Sequence, residues 1–314
     1  MTEGRGPIGR YDLEASLRRL GITSGDAVLV HARLEPMGEV IGGARALIEA
    51  MVSVIGKRGL IVMPAPSRDA LLPEIASELD SAARAALEAQ VPGFDPERSD
   101  ARAAGTLAEA FRNWPGVLRS RHPICSIAAY GPEAAGLVNH HPRDWAFGPD
   151  GPMGRLNERG GAKVLLAGAG WADCTALHTA ETIARYRRLS VTRFKDVSQT
   201  PPRWIHARDV SKDRDGLFDR VGAAFEDRGL VQRGTLGLAD ARLFPLDELL
   251  SFAAPWIASA VSQLTEARQE AEGPLSLVLP EGGQTGAQAQ TGARAGTPPG
   301  VIPPSGSRRG PARR

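Results

Sequence analysis

Between Gly160 and Glu181 the chain reads G-G-A-K-V-L-L-A-G-A-G-W-A-D-C-T-A-L-H-T-A-E, and no other stretch restricts the fold as tightly. The apolar run Val164 to Ala167 ends in Gly168 and Gly170, and a new pattern begins after a polar turn. That is a strand, a glycine-bearing loop and a helix, the repeating unit of α/β folds. Residues three apart share one face of a helix, so the carboxylate of Glu181 can reach the imidazole of His178. Asp173 or Thr175 is the expected N-cap ahead of Ala176 and Leu177, which puts the imidazole near the mouth of the strand-to-helix crevice. A carboxylate there fixes one tautomer and makes the ring more basic, as a general base near neutral pH requires. The same H-x-x-E spacing also occurs on plain solvated helix faces, so spacing alone leaves both readings open.

The remaining chain reads as further units of this kind. Leu13, Leu17 and Leu20 predict an amphipathic helix over Tyr11 to Leu20, stopped by Gly21. Ala27 to His31 reads as a buried parallel strand, followed by a loop at Ala32 to Gly43 with three glycines and a helix at Ala44 to Ile55. Bare backbone amides in such a loop suit a phosphate or pantetheine chain, although the loop is neither a dinucleotide fingerprint nor a P-loop. Leu60 to Met63 predicts a second strand. The segment from Ser67 to Val91, rich in Ala, Leu and Glu, predicts a helix carrying Glu74 and Glu78.

A helix is expected from Gly105 to Trp114, with Thr106 and Glu109 in capping-box spacing. Ile124 to Tyr130 reads as a strand, Ala134 to Val138 as a short helix, and Trp145 to Asn157 as a long loop rich in Gly and Pro. Strand and turn at Val191 to Trp204, a helix at Gly216 to Arg228, short strands at Gly229 to Leu243 and one or two helices at Leu246 to Ala271 complete the pattern. The fold expected is α/β, a mixed central sheet flanked by helices. It forms one domain over residues 1–272, with an acidic helical insertion at about 67–93.

Beyond it, residues 273–314 hold 16 Gly or Pro in 42 positions, too little apolar content to offset ordering entropy, and are expected to be disordered. This tail carries five Arg against one Glu, so the overall charge of +2 leaves residues 1–272 near −2. The sequence pI of about 8.7 therefore reflects the tail. A mildly acidic body suits a cationic substrate better than nucleic acid. No apolar run reaches the roughly 18 residues of a membrane span, and the N-terminus has no signal-peptide core, so a cytoplasmic protein with no membrane partner is expected. Two cysteines, Cys125 and Cys174, offer neither a disulfide framework nor zinc spacing.

The string C-T-A-L-H-T-A-E after a glycine-terminated strand resembles the signature of the aminoglycoside 3-N-acetyltransferase family. Further pieces agree in order: G-D-A-V-L-V-H-A-R-L-E-P-M-G-E-V-I-G-G (Gly25 to Gly43), R-G-L-I-V-M-P (Arg58 to Pro64), F-D-P (Phe94 to Pro96) and Ala104 to Pro123. The resemblance implies an enzyme that moves an acetyl group from acetyl-CoA to the 3-amino group of a 2-deoxystreptamine aminoglycoside and so confers resistance. It implies His178 as base, Glu181 as the residue that holds it, and Thr175 as donor to the thioester oxygen or the cofactor. Acetyl-CoA contacts carry over onto His31, Ala32, Arg33, Leu34 and Gly38, and onto Ser120, His122 and Ser126. Asp95, Glu74, Glu78 and Asp173 are the acids expected to grip substrate ammonium groups, Asp95 having an Asx turn before Pro96 as its structural alternative. The chain is expected to act as a monomer or homodimer.

Other readings remain open at this level. C-x-x-x-H places Cys174 and His178 on one face, which fits a thiol-dependent acyltransferase or hydrolase. His178, Glu181 and His122 or the His140-His141 pair could supply metal ligands, although no H-E-x-x-H motif is present, and no metal is expected. N-acetylation of another small amine, or a non-catalytic module on the same fold, completes the alternatives.

Overall fold

The computed structural model describes residues 6–143, 145–184, 189–210 and 216–272. The predicted disordered tail at 273–314 lies outside them.

In chain order the elements are Arg10–Arg19 (α1), Ala27–Ala32 (β1), Gly43–Ile55 (α2), Leu60–Pro64 (β2), Ser81–Gln90 (α3), Thr106–Arg112 (α4), Leu118–Arg119 (β3), Ile127–Tyr130 (β4) and Ala134–Val138 (α5). Pro152–Arg159 (α6), Lys163–Ala167 (β5), Thr175–Ile183 (α7), Leu189–Asp196 (β6), Arg203–Val210 (β7), Leu217–Glu226 (α8), Gln232–Leu236 (β8), Ala239–Pro245 (β9) and Leu246–Glu272 (α9) follow.

Seven strands form one mixed sheet in the order β3-β4-β2-β1-β5-β9-β8. The central three are parallel, with Leu29 opposite Val62 on one side and Val164 on the other. β4 pairs antiparallel to β2, and β9 antiparallel to β5. A parallel core needs both faces covered. Side chains alternate across a strand, so β1 sends Ala27 and Leu29 into one apolar layer and Val28 and Val30 into the other. The Val28 layer is closed by α1, α2 and α4 through Leu13, Leu17, Leu47 and Phe111. The Leu29 layer is closed by α5 to α9 through Leu156, Leu177, Phe218, Phe225 and Ile257. By the same alternation His31 belongs to the Leu29 face, the one α7 covers.

Four local expectations need correction. The insertion is not one helix: Glu74–Ser77 is a single 3-10 turn, and α3 starts only at Ser81, where Asp80 caps it by accepting the Ala83 N–H at 2.8 Å. α3 buries none of its own residues. It is held instead by Lys195 of β6, whose Nζ donates to the carbonyls of Glu88, Ala89 and Val91. The Thr106–Glu109 capping box does not form, because Gly105 occupies the N-cap position and the Glu109 carboxylate is taken by the Ala101 N–H (2.6 Å) and the Arg112 guanidinium (2.6 and 2.8 Å). Residues Trp145 to Asn157 are not all loop. Pro152 stands at the first position of α6, where its missing N–H has no partner to lose. Lastly, the N-cap of α7 is Cys174, not Asp173 or Thr175.

Candidate active site

In an open parallel sheet the ligand crevice lies at the carboxyl ends of the strands where chain connections diverge. Here β1 runs through α2 to β2 on one side, while β5 lies on its other side. A cleft of about 340 Å³ opens there. Val30 to Arg33 from the end of β1, Met63, Pro64 and Pro66 from the end of β2, and Ala169 and Ala172 after β5 line it, with Asp173, Thr175 and His178 at the start of α7. The opposite wall is apolar, made by Ala103, Ala104, Leu107 and Ala108. The loops after β1 and β5 touch closely. Gly168 adopts φ 61°, and a Cβ on it would meet Pro36 at 3.0 Å and the Arg33 carbonyl at 3.2 Å, so the approach depends on glycine.

His178 Nδ1 lies 2.9 Å from Glu181 Oε2, with the Glu181 side chain only 5% exposed and that of His178 16% exposed. A carboxylate accepts, so Nδ1 carries the proton and Nε2 keeps its lone pair. The imidazole contacts two rings. Phe147 stacks on it with centroids 4.9 Å apart at 21°, and Phe218 meets it at 4.8 Å and 64°. The Thr175 hydroxyl lies one turn earlier, 3.4 Å from His31 Nε2. Burial, the largest effect, pushes the His31 pKa down to about 4, and the nearby His178 works in the same direction, while Asp173 opposes it. His31 is therefore neutral at pH 7. At the cleft edge Arg33 donates to Asp173 Oδ1 at 2.6 Å, and Asp173 Oδ2 accepts the Gly170 N–H at 3.0 Å.

Residues 29–258 match the family described as aminoglycoside 3-N-acetyltransferase. The chain belongs to that family. Aminoglycoside N(3)-acetyltransferase IX of Micromonospora chalcea is 36% identical over 277 residues, covering 82% of this chain and 96% of the relative. Aminoglycoside N(3)-acetyltransferase III of Pseudomonas aeruginosa is 32% identical, covering 82% and 97%. Among solved structures, YokD of Bacillus subtilis superimposes with a TM-score of 0.77 at 30% identity, covering 82% of this chain and 96% of that one. AAC-IIIb, solved as a binary complex with CoASH, gives 0.72 at 30% identity, covering 81% and 98%. The chain is thus an acyltransferase of the aminoglycoside 3-N-acetyltransferase family, on the mixed-sheet fold expected for it.

Of the residues singled out in the sequence, the family fold brings His178, Thr175, Asp173, His31, Ala32 and Arg33 to one cleft, with Glu181 behind His178. The others lie elsewhere. Leu34 packs against the apolar layer under α1 and α2, and Gly38 faces Leu238, which a Cβ there would meet at 2.8 Å. Ser120, His122 and Ser126 are fully buried and do not line the cleft. Ser120 Oγ accepts the Ile127 N–H at 2.9 Å and pairs with His141 Nδ1, His122 Nδ1 accepts the Cys125 N–H at 3.2 Å, and Ser126 donates to the Ala65 carbonyl. In the connection from β3 to β4, the Ser120 hydroxyl and the His122 imidazole are turned inward to backbone partners. Asp95 forms the Asx turn, its Oδ1 accepting the N–H of Glu97 at 2.8 Å, and Glu74 and Glu78 stand exposed at the 3-10 turn. None of these three lines the cleft.

The Cys174 alternative fails on burial. The thiol is fully buried, and desolvation raises its pKa to about 12, so no thiolate is available at neutral pH. The metal reading fails on placement, since among the described residues no three His, Cys, Asp or Glu side chains converge as a metal site. The apolar wall from Ala103 to Ala108 was missed because small residues at a helix start look like plain packing. Phe147 was missed because it sits in a stretch read only as loop. Among the described residues no helix is long and apolar enough to cross a membrane.

Proposed function

We propose that this enzyme transfers the acetyl group of acetyl-CoA to the 3-amino group of a 2-deoxystreptamine aminoglycoside. The observation that carries the reading is the His178–Glu181 pair at the cleft wall, one imidazole nitrogen engaged by a buried carboxylate and the other left to accept a proton. In this reading His178 Nε2 takes the proton that the attacking amine must lose and returns it to the departing thiolate. Glu181 keeps the tautomer and stabilises the imidazolium. Thr175 donates to the oxygen that becomes negative as the new C–N bond forms and the C–S bond breaks.

The cleft's chemistry fits a thioester donor. Ala103, Ala104, Leu107 and Ala108 offer an apolar face to a pantetheine-like arm, and the β1 end offers the Arg33 guanidinium and backbone groups. Asp173 stands at the same edge as the acid nearest an incoming ammonium group. Acetylation removes one positive charge from the drug, and binding to an RNA phosphate pocket depends strongly on such charge.

The test is CoA release from acetyl-CoA with gentamicin, tobramycin, neomycin and apramycin beside simple polyamines, with the acetylated nitrogen located by NMR. Acetyl at N3 of deoxystreptamine supports the proposal. Turnover of polyamines alone, or none with any amine, overturns it.

A further inference from the structure

The base has a neighbour that the catalytic chemistry does not use. Phe147 covers one face of the His178 ring, nearly parallel to it, and is itself only 9% exposed. Glu181 holds the imidazole at a single nitrogen, which leaves rotation about that hydrogen bond as the remaining freedom. The stacked Phe147 ring, with Phe218 also in contact at a steep angle, restricts it, so Nε2 keeps one direction relative to the cleft.

The backbone that carries Phe147 is tied down from the sheet. The adjacent Ala146 carbonyl accepts from His141 Nε2 at 2.8 Å. Because Nε2–H must donate there, His141 Nδ1 is an acceptor, and the Ser120 hydroxyl donates to it at 2.9 Å. Ser120 Oγ in turn accepts the Ile127 N–H of β4 at 2.9 Å. Each polar side-chain atom of this relay has a partner, Ser120 Oγ serving as both donor and acceptor, and Ser120 is fully buried and His141 nearly so. The relay therefore ties the Ala146 carbonyl, next to Phe147, to β4.

We infer that Phe147, clamped through Ala146 by the buried Ser120–His141 pair, is a positioning residue for the general base His178. The inference rests on the proposed role of His178. It gives Ser120 and His141 a task in the reaction from a distance, in place of the cofactor contact expected for Ser120. Among the described residues, the charged and titratable groups near the imidazole include Glu181 on its own helix, His31 from β1, and Asp173 paired with Arg33 at the cleft edge. Phe147 carries no charge, so an apolar substitution there alters the ring's setting and removes no charged group.

The experiment is steady-state kinetics on the full-length enzyme for Phe147→Leu, Phe147→Tyr, His141→Leu and the Phe147→Leu/His141→Leu double variant, with His178→Ala as reference. Leucine keeps apolar bulk and loses the stack, so kcat should fall by about 10-fold or more, while KM for acetyl-CoA stays within about twofold; small misplacements of a catalytic group cost up to about 10²-fold. Tyrosine restores the stack and should return kcat to within about threefold of wild type. His141→Leu should lower kcat, and adding it to Phe147→Leu should cost little more, because both act through one ring.

Wild-type kcat in Phe147→Leu, or equal damage in the Tyr and Leu variants, overturns the inference. If His178→Ala itself retains turnover, the reading of the base has failed instead, and the two outcomes are distinguishable. Should His141→Leu fail to fold, the Leu and Tyr pair at position 147 still decides.

Discussion

Acidification should unfold this enzyme through its buried histidines before its carboxylates matter. Burial lowers the pKa of His31 and of His141 from an ordinary 6.5 to about 4, and holds that of His122 well below the ordinary value. Below pH 6.5 the unfolded chain takes up protons that the folded chain refuses. Stability is thus complete above pH 6.5 and drains away as pH falls toward 4. For one histidine shifted from 6.5 to about 4, the loss at pH 5 is about 2 kcal/mol, so His31 and His141 together lose about 4 kcal/mol. That is a large part of the 5–15 kcal/mol typical of a domain. Glu109, held down to about 2 by its bonds to Arg112 and the Ala101 N–H against its desolvation, withdraws its support only below about pH 4.5 and does not blur the window. Urea denaturation at pH 7.5 and 5.0, followed by circular dichroism, measures the difference. His141→Leu should lose about 2 kcal/mol less than wild type between the two pH values, and His31→Leu/His141→Leu about 4 kcal/mol less. If the variants lose as much as wild type, the buried imidazoles are not the groups that take up the protons, and the reasoning is refuted.

Turnover in His178→Ala should fall by about 10² to 10⁴-fold, with acetyl-CoA affinity by calorimetry near normal; a large loss of cofactor affinity would place the imidazole on the cofactor instead. Glu181→Gln still accepts a hydrogen bond but carries no charge to stabilise the imidazolium, so kcat should drop less than in His178→Ala, as a pH–rate profile of both variants would show. Cys174→Ser should keep its turnover, and thermal melting should stay within about 1 kcal/mol of wild type, because a serine hydroxyl at this N-cap accepts the first-turn N–H groups of α7. Gly222→Ala would bring a Cβ to 2.1 Å from the Trp171 ring on α8's inner side, and should destabilise by about 1–3 kcal/mol with a change in tryptophan emission; an unchanged melting curve would contradict that packing.

Much of this molecule is written locally. Leu13 and Leu17 at helical spacing, the V-L-V core of β1 and the H-x-x-E turn of α7 each declare their element, because period and burial face are properties of neighbours in the chain. The His178–Glu181 bond is legible for the same reason: its partners are three residues apart. Elsewhere a side chain has two possible uses, and its surroundings choose between them. Glu109 could have capped its own helix but met Arg112 and Ala101, and Pro152 could have ended a turn but started a helix.

The sequence by itself determined the α/β class, the order of strands and helices around the glycine-ended β5, and the His178–Glu181 pairing on α7. Only the tertiary structure decided that Arg33 meets Asp173 across 140 positions, that Thr175 faces His31 across 144, and that Phe147 lies on the base. It also decided that Ser120 and His122 turn inward. Helical and strand periodicities fix directions over a few residues, whereas burial and long-range contact follow from how whole layers pack, which no short stretch encodes.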